Sequence, residues 1–508
     1  MLLNQTILRS SWDSNRRGPL RAAQVTQLRS FLKHRVLPFS EHYRSLQLDP
    51  RDLHELEDLQ HLPFTSKADL QDRAREFVLI PDEEVLRRQP KTVFHAMTRG
   101  KAGAKHLLER EFRPIMMTST TGRSADPVPF LYTQHDLDNL DITGRRLMEV
   151  GGSRPEYKHG NLFPYAPHLA YWQAYHAGIA FNTFMVGTGG GKVMGTEGNV
   201  QMLDRIRPEV IIAMPTFLYH LLHAAVEQDL HWDGLKMLVL GGEKVPPGLR
   251  RKLRGLCAEL GAGRVDVLAT YGFTEAKAAF NECPAPRGAE PSGYHLSPDL
   301  GIVEIIDPES GKIVADCQPG EIVYTPLDSR GSVVLRYRTG DLISGGLSHE
   351  PCPYCGRTCP RLVGEISRVS EFRRLDIRKL KGTLVNFNAL EHVLDDTDEI
   401  RCWQVEIRKR NDDPYECDEL HLTVTPMPGQ ERAELERKLT RRFRNATEVT
   451  PNAIHLVPLA ELQEAQGLGR LIKEEKIVDH RPKPDTDTAP PRRAGEATTK
   501  LHPEPHDH

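Results

Sequence analysis

Two groups of residues in this 508-residue chain have types and spacings that suit chemistry. The first is the turn Thr118-Ser119-Thr120-Thr121-Gly122, which follows a short apolar run and precedes Arg123. Hydroxyls and backbone N–H groups can converge on phosphate oxygens, and Gly122 lets the backbone approach closely. The turn lacks the terminal Gly-Lys-Ser/Thr of a Walker loop. A polar surface turn is the alternative, because turns favour the same residue types.

The second group is a set of cysteines with metal-binding spacing. Cys352 and Cys355 are separated by two residues, and Cys359 lies four residues further on. A two-residue gap lets two sulfurs reach one ion, and zinc takes four thiolate or imidazole ligands. Cys283 and His295 flank a turn-rich stretch upstream and are candidates for the other two ligands, with Cys359 as the rival of His295. Four protein ligands would make a structural site; reduced, metal-free thiols are the alternative.

Length and composition limit the possible classes of protein. A chain of 508 residues exceeds one ordinary core, and 39% hydrophobic with 27% charged residues is typical of globular domains. The net charge of -3 gives no electrostatic reason to bind nucleic acid or an anionic membrane. We find no apolar run of about 18 residues and no secretory signal pattern. Eight cysteines do not suggest a disulfide scaffold, which favours the cytoplasm.

The elements that must position these groups follow from local patterns. Residues 1–110 are predicted to be mostly helical. From 111 onward, compact apolar runs end at turn signals and alternate with helical patterns, which predicts α/β layering. Three such runs are Val128–Tyr132, Val210–Met214 and Met237–Leu240. Short alternating runs between 301 and 345 predict a β-rich part.

The chain beyond 366 has the pattern of a smaller α+β unit. Its candidate strands are Cys402–Ile407 and Glu419–Val424, and its candidate helix is Gln430–Arg444. The last residues are rich in Pro, Asp, Thr and Arg and cannot bury a core. We therefore predict four parts: 1–110 as a helical segment of the large domain, 111–366 as its core, 367–482 as a small mobile domain, and 483–508 as a disordered tail.

Two further motifs accompany the Thr/Ser turn in a fixed order. They are Tyr271-Gly272-Phe273-Thr274-Glu275 and Tyr337-Arg338-Thr339-Gly340-Asp341-Leu342. In this order the three motifs resemble the adenylate-forming enzymes. The flanking segments resemble, within that superfamily, the phenylacetate–CoA ligase family: Leu62–Leu70, Tyr132–Leu137 and Cys355–Arg361. The resemblance spans about 60–482 and implies a large α/β domain with a β-rich subdomain and a small C-terminal α+β domain.

The resemblance assigns roles to individual residues. The Thr118–Gly122 turn, with Arg123, would wrap the β- and γ-phosphates of ATP. Thr274 would contact the α-phosphate and Glu275 would hold Mg²⁺, since a hard cation suits one carboxylate plus waters. The remaining assignments concern adenine and ribose. Tyr271 with Gly272, and Gly242 with Glu243, would lie beside the adenine. Asp341 would accept from the ribose hydroxyls, and Arg368 would contact the ribose or a phosphate. Zinc-containing relatives favour Cys283, His295, Cys352 and Cys355 as ligands.

The C-terminal part departs from the family pattern. The usual hinge acid is replaced by Ser370, and Ser119 and Arg123 stand where Gly and Lys are usual. Counting back from Ile477–Arg481 places Lys473 at the position of the catalytic lysine, which neutralises charge developing at the α-phosphate. Arg470 and Lys476 are the alternatives.

The expected activity is ATP-dependent conversion of a carboxylic acid to an acyl-AMP, followed by transfer to CoA. The aromatic segment Phe163–Trp172 lies where the family lines its acid pocket and favours an aromatic acid. Transfer to an amine, a carrier-protein thiol or another nucleophile stays open, as does a catalytically silent ATP-binding relative. The expected partner is a small acid, without nucleic acid or membrane. The identity of the acid and the choice between monomer and homodimer also stay open.

Overall fold

The N-terminal part of the chain is helical and encloses one hydrophobic core. The computed structural model describes residues 9–14, 16–120, 127–368, 387–412, 418–447, 450–468 and 474–481. The helices are α1 (Arg17–Phe31), α2 (Leu37–Phe39), α3 (Glu41–Ser45), α4 (Lys67–Arg73), α5 (Glu83–Arg88) and α6 (Pro90–Phe112), with a π-turn at Leu32–Val36 and 3₁₀ turns at Pro50–Asp52, Leu56–His61 and Ala74–Phe77. Their core also contains Phe130 and Tyr132, and it reaches the third predicted nucleotide motif through Tyr337.

A nine-stranded sheet forms the centre of the large domain. Its strands are β3 (His159–Asn161), β4 (Met185–Gly187), β5 (Val210–Ala213), β6 (Met237–Leu240), β7 (Asp266–Phe273), β8 (Ala278–Asn281), β9 (Tyr294–His295), β13 (Leu347–Ser348) and β14 (Arg361–Leu362). The order is β13-β14-β9-β8-β7-β6-β5-β3-β4, and the five strands β3 to β7 are parallel. Because parallel strands are covered on both faces, the continuous apolar runs at 210 and 237 became strands, as predicted.

Helices cover this sheet, and two smaller β structures adjoin it. The helices are α7 (Gln134–Gly151), α8 (Leu169–Phe181), α9 (Gly191–Ile206), α10 (Pro215–Glu227) and α11 (Pro247–Glu259). The hairpin β1 (Met116–Ser119) with β2 (Pro129–Tyr132) stands apart. An antiparallel sheet contains β10 (Gly301–Ile306), β11 (Gly320–Pro326), β12 (Tyr337–Ile343) and β15 (Ile366–Arg368). This α/β layering with a β-rich part confirms the predicted fold class.

The C-terminal elements have their own sheet and their own core. They are α12 (Phe387–Asp395), β16 (Ile400–Lys409), β17 (Asp418–Pro426), α13 (Arg432–Thr447), β18 (Ala453–Leu456), α14 (Leu459–Ala465) and β19 (Ile477–Asp479). The strand order is β18-β17-β16-β19, and Trp403, Leu422 and Phe443 are buried in the core. The predicted strands and helix of this unit are confirmed. The exact domain boundaries stay a prediction, and the predicted tail lies outside the described residues.

No helix in the described part of the chain is both long and apolar enough to cross a membrane.

Candidate active site and metal cluster

The Thr/Ser-rich turn begins at the end of strand β1, and hydrogen bonds hold its first residues to neighbouring segments. Thr118 Oγ1 donates to the hydroxyl of Tyr132 over 3.2 Å, and Thr120 Oγ1 accepts from the backbone N–H of Val128 over 3.0 Å. The Ser119 N–H donates to the carbonyl of Pro167 over 2.6 Å. The hydroxyls of Thr118 and Thr120 therefore support the base of the turn, and their phosphate contacts stay a prediction. Thr121, Gly122 and Arg123 lie outside the described residues.

The second and third motifs meet through two side-chain hydrogen bonds. The hydroxyl of Tyr271, in β7, donates to Asp341 Oδ2, in β12, over 2.8 Å. The hydroxyl of Tyr337 donates to Glu275 Oε1 over 2.6 Å, and Thr274 begins the 3₁₀ turn that carries Glu275. The two partners of each hydrogen bond are about 65 positions apart in the sequence. The bonds join the nine-stranded sheet, which contains β7, to the antiparallel sheet, which contains β12. The structure thus brings the residues predicted for adenine, ribose and Mg²⁺ together.

The turn before Asp341 depends on one left-handed glycine. Gly340 has a φ of +69°, a conformation that glycine adopts without strain. Thr339 Oγ1 donates to the carbonyl of Ile322 over 2.8 Å and accepts the N–H of Asp341 over 3.0 Å. The backbone of Asp341 is opposite Arg368 of β15. The position of the Asp341 carboxylate is therefore set by the local backbone, whereas the side-chain role of Arg368 stays a prediction.

The family-like segment Leu62–Leu70 holds the chain that enters β12. The carbonyl of Leu62 accepts from Arg336 Nη1 over 2.9 Å, and the Phe64 ring lies 4.1 Å from the same guanidinium. The Thr65 N–H donates to the carbonyl of Arg336 over 3.1 Å. Arg336 is fully buried and makes a two-point ion pair with Glu304 at 3.1 and 2.9 Å. This segment thus anchors the motif predicted to bind the ribose, a role that no local pattern revealed.

A buried ion pair gives the second family-like segment a similar role. Asp136 caps helix α7 by accepting from the Thr133 N–H, and its Oδ1 lies 3.2 Å from Lys277 Nζ. Lys277 directly follows the turn of Glu275 and also donates to the carbonyl of Arg330 over 2.6 Å. Burial lowers the pKa of Lys277, and Asp136 opposes that change. Burial raises the pKa of Asp136, but Lys277 and backbone donors hold it below the usual value. The pair fixes the Thr274–Glu275 turn to α7.

The predicted adenine loop lies at the carboxyl end of β6. Gly242 has a φ of +85°, and Glu243 Oε2 accepts from Thr216 Oγ1 over 2.7 Å. A Cβ atom at Gly241 would lie 2.4 Å from Thr270 Oγ1, so a side chain there would displace β7. The loop is held between β7 and the first turn of α10, at the edge where parallel strands commonly present ligand-binding groups.

An apolar cavity of about 130 Å³ lies directly below this loop. Its lining is mostly aliphatic and extends from Gly241, Gly242 and Gly272 down to the beginning of the parallel strands: Leu147, Met148, Gly151, Ser153, Phe163, Leu169, Ala170, Gln173, Ala174, Ala177, Val210, Ile212, Met237, Val239, Thr270, Ala279 and Asn281. Phe163 is the aromatic member. Tyr171 and Trp172 are outside this lining, and Tyr165 is 52% exposed. The aromatic segment therefore contributes one ring, rather than several, to the cavity wall.

The four predicted metal ligands form one cluster. The sulfurs of Cys283, Cys352 and Cys355 and a ring nitrogen of His295 all lie within 4.8 Å of one another. Cys283 Sγ is 3.6 Å from Cys352 Sγ, and Cys355 Sγ is 3.2 Å from His295 Nε2. Tetrahedral zinc with Zn–S bonds of about 2.3 Å has S–S edges of about 3.8 Å. The donor set and its spacing therefore fit zinc. Cys359 is buried and is not part of this group.

Hydrogen bonds orient the members of the cluster. The carbonyl of Asn281 lies 3.3 Å from His295 Nδ1. Because a carbonyl can only accept, Nδ1 carries the proton and Nε2 is left as the ligand atom, a common arrangement around metal-bound histidines. The Gly356 N–H closes the Cys352–Cys355 turn by donating to the carbonyl of Cys352 over 2.9 Å. The pairing of β9 with β8 and β14 brings distant sequence segments to this point.

The residues that follow the predicted catalytic lysine are held within the small unit. Lys473 and its alternative Arg470 lie outside the described residues. Lys476 Nζ lies 3.6 Å from Asp395 Oδ1 and 4.9 Å from the centre of the Trp403 ring. Although burial opposes it, Asp395 and Glu243 raise the pKa of Lys476. Lys476 is thus held by the small unit's own groups.

Comparison with known proteins identifies relatives of this chain. Residues 163–326 match the family model described as AMP-binding enzyme. The phenylacetate-coenzyme A ligase of Thermus thermophilus is 28% identical over 390 residues, 74% of this chain and 76% of that protein. The Pseudomonas putida enzyme of the same name is 28% identical over 332 residues, 64% of this chain and 66% of that protein.

Solved structures agree on the fold. A 2-hydroxyisobutyryl-CoA ligase in the postadenylation state, in complex with 2-HIB-AMP, matches with a TM-score of 0.72 at 20% identity. The match covers 93% of this chain and 92% of the other. The ordered motifs, the matching AMP-binding enzyme model and these relatives make the chain similar to phenylacetate–coenzyme A ligases, and the solved structure shows the same fold.

Proposed function

We propose that this enzyme is an AMP-forming acid–CoA ligase that acts on a small aromatic carboxylic acid. The observation that carries the proposal is the direct link between the two nucleotide motifs, Tyr271 to Asp341 and Tyr337 to Glu275, beside an apolar cavity. Nucleotide and acid would then meet at Gly241 and Gly242. The ligase relatives support CoA as the acceptor.

The reaction has two group transfers. A carboxylate oxygen attacks the α-phosphorus of ATP and pyrophosphate leaves; the CoA sulfur then attacks the acyl carbon and AMP leaves. Two easier steps replace one difficult step. Thr274 would contact the α-phosphate, Asp341 would accept from the ribose hydroxyls, and Lys473 would neutralise the developing charge. Glu275 would hold Mg²⁺, which shields the phosphates when bound.

The cavity supports an acid with a single ring. Its volume of about 130 Å³ is close to the roughly 150 Å³ of an engineered apolar cavity that binds benzene. Flat rings bury a large apolar area, which suits walls such as Val210, Ile212 and Met237. A long aliphatic acid would exceed this space.

The activity is tested by ATP–pyrophosphate exchange with aromatic and aliphatic acids, followed by mass spectrometry of the products with and without CoA. We expect exchange with small aromatic acids and a CoA thioester as product. Exchange without a thioester would indicate an amine, carrier-protein thiol or other acceptor. No exchange with any acid, together with no ATP binding, would refute the proposal.

We also propose that the four-residue cluster holds a structural zinc ion. Support comes from its donor set, its spacing and the proton on His295 Nδ1. A site with four protein ligands leaves no open position for a substrate. The ion would fasten β9 and the Cys352–Cys355 turn to the end of β8, which lines the acid cavity.

Elemental analysis tests the zinc site. We expect about one equivalent of zinc in the purified protein and less than half in Cys355→Ser. Cys317→Ser is the matched control, since Cys317 is exposed and outside the cluster. Less than half an equivalent in carefully purified wild-type protein would contradict the proposal.

A further inference from the structure

The acid cavity has a polar side at the end of helix α7. Asn281 of β8 and Ser153, just beyond α7, both line it. The register of the strands shows where this side lies. Gly272 is opposite Ala279, whereas Asn281 is opposite Thr270. Asn281 is therefore two residues, about 7 Å, further from the Thr274–Glu275 turn than Ala279 is. A carboxylate placed at the nucleotide motifs would leave the other end of a ring near Asn281.

The Asn281 side chain presents an unpaired acceptor. Its Nδ2 donates to the carbonyl of Leu147 over 3.1 Å, which fixes the orientation of the amide because a carbonyl can only accept. Asn281 Oδ1 is buried without a hydrogen-bond partner among the described residues, and the residue is 2% exposed. Gly151 makes room for this arrangement, since a Cβ there would lie 3.0 Å from Asn281 Nδ2. Buried acceptors are normally paired, so this oxygen calls for a donor.

Ser153 presents a second acceptor. His159 Nδ1 lies 3.0 Å from the carbonyl of Tyr157, so Nδ1 carries the ring proton. Nε2 is then an acceptor, and the Ser153 hydroxyl donates to it over 2.9 Å. His159 is fully buried, and burial lowers its pKa to about 4, which keeps the ring neutral near pH 7. The hydroxyl proton of Ser153 is therefore engaged, and the lone pairs of its oxygen are left for a ligand.

The third polar side chain of the wall differs from these two. Gln173 Nε2 donates to the carbonyl of Leu140 over 3.3 Å, and its Oε1 accepts from the Ala279 N–H over 3.2 Å. Its amide is thus used to connect α8 with α7 and β8. Gln173 therefore needs no ligand group. The hydrogen-bond acceptors left for a ligand lie on the side of the cavity formed by Asn281 and Ser153.

We infer that the acid carries a hydrogen-bond donor, a hydroxyl or amino group, on the ring end remote from its carboxylate, and that Asn281 with Ser153 selects it. The inference rests on the proposed function, because it takes the cavity as the acid site. A ring with hydrogen or methyl at this position would leave Asn281 Oδ1 buried and unpaired. Sites built to pair with a substrate donor discriminate strongly against analogues that lack it.

Substrates matched in size test the inference. The kcat/KM of ATP–pyrophosphate exchange is measured for aryl acids with hydroxyl or amino groups at the meta or para position, and for their methyl and chloro counterparts. We expect the wild-type enzyme to prefer the donor by about tenfold or more at one ring position. Asn281→Leu should bring that ratio near one, and Ser153→Ala should lower it less.

Thr270→Val is the matched control variant. Thr270 lines the same cavity, but its hydroxyl already donates to the carbonyl of Leu240 over 3.0 Å. We expect this change to affect both members of each substrate pair alike, so the ratio stays as in wild type. If Asn281→Leu does not fold, Ser153→Ala carries the test.

Equal use of hydroxyl and methyl acids by the wild-type enzyme at every ring position would overturn the inference and leave the proposed function standing. A preserved ratio in Asn281→Leu would overturn it as well. Exchange with none of the acids would refute both.

Discussion

The nucleotide motifs and the small-unit contact are built in different ways. Around the motifs, buried charges have close partners: Asp136 with Lys277 and Arg336 with Glu304. At the contact with the small unit, His220 of α10 faces Glu474 at 3.8 Å. Both side chains are less than 10% exposed, yet neither ring nitrogen nor carboxylate oxygen has a hydrogen-bond partner among the described residues. The two charge pairs beside the motifs are thus hydrogen-bonded, whereas His220 and Glu474 face each other without a hydrogen bond.

This difference indicates which contacts of the folded protein resist separation. Removing a partner from a buried, hydrogen-bonded pair leaves an isolated charge, so the motif region resists local opening. Separation of His220 from Glu474 breaks no hydrogen bond between them, because none is formed among the described residues. Elements that must move in function are drawn from the less stable contacts of a protein. We expect His220 to separate from Glu474 far more readily than Lys277 separates from Asp136.

Breaking the Asp136–Lys277 pair should have the largest effect. Asp136→Ala leaves the Lys277 ammonium buried without its carboxylate, and we expect a loss of about 3–5 kcal/mol in the free energy of unfolding. Denaturant unfolding of the two proteins measures the difference. ATP binding should weaken as well, since the Thr274–Glu275 turn loses its attachment to α7.

Glu83→Ala is the control for this prediction. Glu83 forms an exposed ion pair with Arg87 in α5, and such pairs contribute less than about 1 kcal/mol. A similar, small loss in both variants would show that the motif region is no better fixed than the surface.

The lysine predicted to act in adenylation should give the next largest effect. Lys473→Ala should reduce acyl-AMP formation by about 100-fold or more, because the charge at the α-phosphate loses its partner. Lys476→Ala should reduce it much less, since Lys476 already faces Asp395 and Trp403. Single-turnover formation of acyl-AMP is the measurement. Equal losses in the two variants would refute the alignment on Ile477–Arg481.

Sequence patterns predicted the composition of the nucleotide region better than its connections. The expectation that Tyr271 and Asp341 lie near one nucleotide came from the resemblance that the ordered motifs carry, and the structure joins the two side chains by a hydrogen bond. Nothing local showed that Asp136 pairs with Lys277, 141 positions away, or that Thr118 donates to Tyr132. Such pairs depend on strand order and helix placement, which local periodicity does not encode.

The cysteine cluster and the cavity show the same limit. The two-residue gap marked Cys352 and Cys355, but Cys283 and His295 came only from resemblance. They lie beside the other two because β9, which contains His295, pairs with β14 and β8. For the cavity, the resemblance placed the aromatic segment Phe163–Trp172 at the acid pocket, and of its rings only Phe163 lies in the wall. Asn281 gave no signal, since an asparagine at a strand end is usually a turn residue.

Removing the ribose acceptor tests the motif region more gently. Asp341→Ala should weaken ATP binding about tenfold, because two hydroxyls lose a charged acceptor and the Tyr271 hydroxyl loses its partner. Isothermal titration with ATP measures the change. Tyr271→Phe keeps the carboxylate and should have a smaller effect. Unchanged ATP affinity in Asp341→Ala would contradict the ribose assignment.

The small-unit contact should depend on pH in a way that the motif region does not. Burial lowers the pKa of His220, but Cys402 and Glu474 outweigh it and raise that pKa to about 9. A group with a raised pKa stabilises the folded state fully below its unfolded value, near 6.5, and this contribution is lost as the pH rises through about 9. The neighbouring His223 stays neutral in this range, because burial lowers its pKa to about 3.

His220→Gln isolates this contribution, which is at most about 3 kcal/mol for a shift of this size. We expect the thermal stability of the wild-type protein to fall more than that of His220→Gln between pH 6 and pH 10. Asp136→Ala serves as the contrast, because its loss should be largest near pH 6 and should shrink towards pH 10, as the buried Lys277 ammonium, whose pKa burial lowers, gives up its proton. If wild type and His220→Gln show the same pH dependence, His220 carries no charge at the contact. The two regions would then differ in hydrogen bonding alone and not in their response to protons.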